Sequence, residues 1–136
     1  MKDILTNNHL YIAGTDIKSF GPEGKVYDNH PLLEKTNIVD IKGNPMLVND
    51  LLRAVHDYYA HTMSNVGFGP LGEEAAWRNH MIMTKSPYAR WALTSETRGQ
   101  NSWVNFNESA LGVEKLSDRP FAEQKVDLLP VKYLIT

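Results

Sequence analysis

The chain is predicted to fold as a compact α+β domain around a central helical hairpin, and three observations predict it. Two apolar stretches with helical spacing, 45–63 and 73–84, are separated by nine residues that hold three glycines and a proline. Ser86-Pro87 reads as the cap and first position of a third helix, 87–98, with Gly99 as its stop. Short runs rich in β-branched and aromatic residues flank this centre and read as strands.

Taken in order, residues 9–13 and 38–41 are the candidate strands of a turn-rich N-terminal part, bounded by Gly14, Gly21-Pro22, Gly24 and Gly43. The first helix is expected to begin with Asn44 as cap and Pro45 at its first position, and to run to about Met63. Leu47, Val48, Leu51, Leu52, Val55, Tyr58, Tyr59 and Thr62 form its apolar stripe, with the tyrosines in the core or at its edge. After Gly99, residues 100–107 alternate polar with apolar and read as extended. Residues 126–135 read as a last strand, bent or at an edge because of Pro130.

At 136 residues, with 42% hydrophobic and 22% charged side chains, the chain has the size and composition of one globular domain, 1–136. It divides into a mixed strand-and-turn part (1–43), a helical core (44–107) and a tail (108–136). A net charge of -2 leaves no basic footprint for nucleic acid. No stretch approaches the ~20 apolar residues that span a bilayer, and none has signal-peptide character, so a soluble cytoplasmic protein is expected. With no cysteine, a metal site must draw on His, Asp and Glu.

The middle third concentrates such residues. On a regular helix Asp50, Asp57 and His61 share one flank, whereas His56 and His61, five apart, diverge by about 140°. Asp57 and His61, four apart, can therefore grip one ion. On the second helix Glu73, Ala76, Trp77 and His80 share a face, and an antiparallel hairpin brings the two sets together. The expectation is a divalent metal (Zn, Mn or Fe) held by Asp57, His61 and His80, with Glu73 and His56 as catalytic groups. The other reading of these residues is a solvated Asp-His pair and acids favoured at a helix N-terminus. A second cluster, Glu96, Arg98, Gln100, Asn101, Trp103 and Asn105, offers donors around an aromatic anchor and is expected to bind substrate. Its bland counterpart is a polar loop, with Glu96 and Arg98 as a structural ion pair.

Three runs carry a resemblance: 56–61 (His-Asp-Tyr-Tyr-Ala-His), 68–80 (from Phe68-Gly69-Pro70-Leu71-Gly72-Glu73-Glu74 to His80) and 94–106 (Thr-Ser-Glu-Thr-Arg-Gly-Gln-Asn-Ser-Trp-Val-Asn-Phe). They resemble a segment of bacteriophage and mobile-element proteins, including the large "polyvalent" proteins delivered with phage or plasmid DNA. The resemblance covers about two fifths of the chain. It implies a viral or mobile-element origin and action inside an infected bacterium, and it names no reaction. Two function classes follow. One is a metal-dependent hydrolase acting on a protein, nucleotide or nucleic-acid bond, with a small-molecule or peptide substrate among the candidates. The other is a non-enzymatic anti-defence protein that inhibits a host bacterial protein complex by binding it.

Overall fold

The computed structural model describes residues 2–107, 112, 118 and 122–134, and their architecture is α+β. A short helix α1 (Lys2–Asn7) ends at Asn8, whose φ of 51° lies in the left-handed region. Residues 9–16 then run without regular structure, so the strand expected at 9–13 is absent. Among the described residues, that run has no neighbouring strand to complete a ladder.

Strands β1 (Lys35–Val39) and β2 (Pro45–Leu47) form one antiparallel hairpin, with Lys35 opposite Leu47 and Val39 opposite Pro45. Between these pairs lie three residues on β1 and one on β2, so the ladder is bulged. Asp40 shapes the turn. Its Oδ1 accepts the amides of Lys42 and Asn44, each at 2.8 Å, while Gly43 supplies a φ of 83°. Pro45 therefore opens a strand and not a helix, a place a two-stranded edge tolerates.

Helix α2 (Val48–Val55) begins three residues later than expected, where Asp50 closes its first turn. The Asp50 carboxylate accepts the Leu47 amide at 2.9 Å and, from the N-terminal segment, the Thr15 amide at 2.7 Å and hydroxyl at 2.6 Å. The helix continues as a π-helical stretch, His56–Thr62, in which the Met63 amide reaches back five residues to the Tyr58 carbonyl at 2.9 Å. Tyr59 is half exposed here and is not a core residue.

Helix α3 (Pro70–Met83) starts three residues before the expected 73, with Pro70 in its first turn. It packs on the π-helical stretch, as the hairpin reading requires, and Asn79 Nδ2 donates to the Ala60 carbonyl at 2.9 Å. Ala60 and Ala76 are fully buried, and their small side chains let the two elements approach closely.

Helix α4 (Pro87–Leu93) starts as expected, because Ser86 Oγ accepts the Ala89 amide at 3.3 Å. It does not stop at Gly99. A second π-helical stretch (Thr94–Gly99) leads directly into α5 (Gln100–Phe106), so the segment expected to be extended is helical. The hydroxyls of Thr94, Ser95 and Thr97 donate to the carbonyls four residues back, at 2.7, 3.0 and 2.6 Å. They share acceptors with the backbone, since the Thr94 amide also donates to the Arg90 and Trp91 carbonyls. Gly99 holds helical torsions of -61° and -47°, and Leu129 from the tail packs over it.

Residues 122–134 are irregular apart from one short 3-10 turn (Val131–Tyr133), and Ile135 of the expected strand lies outside the described residues. Pairing with α4 replaces a ladder. Trp91 Nε1 donates to the Leu129 carbonyl at 2.6 Å, and the Leu129 amide donates to Ser95 Oγ at 2.9 Å. Among the described residues, no helix is long and apolar enough to cross a membrane.

Candidate functional site

The centre of the molecule is polar. Its largest fully buried side chains are His61, His80 and Thr94, and the first two are only 1% exposed. A π turn sets this up. Because its hydrogen bonds close over five residues, side chains five apart, which diverge on an α-helix, come together. His56 and His61 thus face each other, with their Nε2 atoms 2.9 Å apart. Glu73, at the N-terminal end of α3, places Oε2 at 3.4 Å from His56 Nε2 and 3.5 Å from His61 Nε2.

The far side of each imidazole is held. His61 Nδ1 lies 3.1 Å from the Gly67 carbonyl and 3.4 Å from that of Val66, so Nδ1 carries the proton and donates. The Phe68 ring stacks on His61 at 4.3 Å between centroids. Gly72 makes this loop possible, since a Cβ there would collide with the Gly67 carbonyl oxygen. His56 Nδ1 lies 2.9 Å from His80 Nε2, with the two rings stacked at 5.2 Å.

Charge follows burial. Burial disfavours the imidazolium of His80, and the nearby His56 and His61 add to this while Glu73 opposes it. The His80 pKa falls to about 4. Burial pushes the Glu73 carboxyl up, but hydrogen bonds and attraction from His56 and His61 outweigh it and hold the group below its ordinary value. Burial raises Glu96, with His56 pulling weakly the other way.

His56 and Glu73 also line a cleft of about 550 Å³, with His61 and His80 absent from its wall. Thr15, Arg53, Asp57, Glu96, Gln100 and Asn101 are among the other residues lining it. The α-helical reading paired Asp57 with His61. The π turn instead brings His56 to His61 and leaves Asp57 on the cleft wall, outside the cluster. His80 touches His56 and lies behind the group that could hold an ion.

The second cluster divides. Glu96, Gln100, Asn101 and Asn105 reach the cleft, with Gln100 Nε2 donating to Glu96 at 3.3 Å and Asn105 Nδ2 to Asn101 Oδ1 at 2.8 Å. Asn101 Nδ2 also donates to the Pro70 carbonyl at 3.1 Å, tying α5 to the start of α3. Arg98 and Trp103 are not on the cleft wall. Arg98 pairs with Glu74 at 3.1 Å, not with Glu96, and lies 4.4 Å over the Trp77 ring. Trp103 is 43% exposed on the outer side of α5. The sequence reading missed the roles of Gly72 and Phe68. The available signal was Gly69-Pro70, which marks an earlier start for α3 and so a shorter loop behind His61.

His56, His61 and Glu73 each offer one ligand atom, all within 4.8 Å of one another. Zinc binds imidazole nitrogen and carboxylate oxygen at about 2.0–2.2 Å, and a tetrahedron of that size has edges of about 3.3 Å. The triangle here has edges of 2.9, 3.4 and 3.5 Å. Two imidazoles and one carboxylate form one of the ligand sets found in catalytic zinc sites, and two of the three residues, His56 and Glu73, also line the cleft. No family model, curated protein or solved structure matches the chain.

Proposed function

We propose that this protein is a divalent-metal hydrolase, with zinc as the best-matched ion, held by His56 Nε2, His61 Nε2 and Glu73. The observation that carries the reading is the triangle of 2.9, 3.4 and 3.5 Å at the wall of the cleft. A metal there supplies a nucleophile by lowering the pKa of bound water toward neutrality. Glu96 faces the same cleft with its carboxyl raised by burial, which suits it to take the water's proton and return it to the leaving group. Gln100 orients Glu96, and Arg53 and Asn101 bear on substrate. In this reading His56 and Glu73 are ligands, while Asp57 and His80 are not.

Calorimetric titration with Zn²⁺, joined to elemental analysis, tests the metal. One equivalent is expected, with affinity lost in His61→Ala and Glu73→Gln and kept in Asp57→Ala. Ester, phosphodiester and peptide substrates then test the chemistry. Glu96→Gln is expected to keep its zinc and lose roughly 10²–10⁴-fold in turnover. A protein that takes up no metal overturns the proposal and leaves the binding role as the better reading.

A further inference from the structure

The contact between His56 Nδ1 and His80 Nε2, 2.9 Å long, can run in either direction, depending on the tautomers. His61 is fixed, because its Nδ1 faces two carbonyl oxygens and must donate, leaving Nε2 a bare acceptor. Without metal, the 2.9 Å contact between His56 and His61 then needs a proton on His56 Nε2. Neutral His56 in that state has a bare Nδ1, and His80 must donate to it from Nε2. With metal on His56 Nε2 the order reverses. His56 carries its proton on Nδ1, and His80 Nε2 must accept it.

We propose that His80 is a positioning residue that switches from donor to acceptor when the metal centre fills, so that loading changes the tautomers of two buried histidines together. This rests on the metal reading above. The protons balance. One passes from His80 Nε2 to His56 Nδ1 along their bond, the proton on His56 Nε2 leaves to water through the cleft, and water returns one to His80 Nδ1. His56 and His80 stay neutral in both states, and the metal takes the place of a proton between His56 and His61. A partner of this kind orients a metal-binding imidazole and raises its basicity, and its loss typically costs 10–100-fold in affinity.

Long-range ¹H–¹⁵N spectra of the ¹⁵N-histidine-labelled full chain near pH 8, with and without Zn²⁺, read the tautomers directly. The expected result is His56 and His80 protonated at Nε2 in the metal-free protein and at Nδ1 in the zinc-loaded one, with His61 protonated at Nδ1 throughout. His80→Gln, whose amide can donate or accept, is expected to hold zinc close to the parent affinity, whereas His80→Leu loses roughly 10–100-fold. Zinc binding without a change of tautomer at His80 overturns the switch while sparing the metal site. So does a His80→Gln variant as impaired as His80→Leu. Failure of zinc to bind at all overturns both, and calorimetry on the same sample separates that case.

Discussion

His80 makes the site sensitive to acid even before any metal is considered. Unfolded, it takes a proton near 6.5, whereas folded it resists until about 4. Between those values the unfolded chain binds more protons, so stability rises with pH. The contribution is complete above 6.5, shrinks as pH falls, and is exhausted below about 4. A shift of this size corresponds to something on the order of 3 kcal/mol. Urea midpoints of chelator-treated protein should therefore drop between pH 7.5 and pH 4.5, and His80→Gln should flatten the profile. Thr94 is a second buried residue with a defined task, accepting the Trp77 indole N–H at 2.9 Å. Thr94→Val keeps the shape and strands that donor, so denaturant unfolding should show a loss of about 1–3 kcal/mol.

Among the elements, the loop between the first π-helical stretch and α3 is tightly constrained. The Gly67 carbonyl accepts from His61 and lies against Gly72, so one atom joins loop geometry to the orientation of a proposed ligand. Gly72→Ala should cost about 1–3 kcal/mol in stability through overpacking. It should also weaken zinc binding in calorimetry, although residue 72 touches no ligand atom. Gly99→Ala is milder, because the added carbon would meet only the Leu129 side chain, at 3.2 Å.

The same scale shows what the sequence could disclose. The start of α4 was legible because Ser86 and Pro87 act within one turn. The packing of α3 on the π-helical stretch was legible from the shared face of Glu73, Ala76, Trp77 and His80. The pairing of His56 with His61 was not. Residue spacing was read with an α pitch, and pitch is decided by which group captures each carbonyl. The continuation through Gly99 was hidden for a related reason, since the tail residue Leu129 that covers it is thirty positions away in the chain. Likewise Pro45 satisfies the rules for a helix start, and only the turn built on Asp40 assigns it to a strand.

At the scale of the whole molecule, the proposed zinc binding would be linked to folding. The histidines and Glu73 come from two separate elements, so an unfolded chain has no assembled site. Zinc at about 100 times its dissociation constant should therefore stabilise the fold by about 2.7 kcal/mol. That corresponds to roughly 10 °C in melting temperature for a domain of this size. Differential scanning calorimetry with zinc and then with excess chelator should show the rise and its reversal, and Glu73→Gln should show neither.

The wide turn at His56–Thr62 also bears on how such centres are found. A scan tuned to imidazoles four positions apart passes over this chain, since the proposed ligand pair, His56 and His61, stands five apart. Removing a single residue between them, such as Tyr59, would convert the bulge into an ordinary coil of helix and leave the pair at the familiar interval. Sequences that look mismatched at this point can therefore share one ligand arrangement and differ only in how loosely the backbone is wound beneath it.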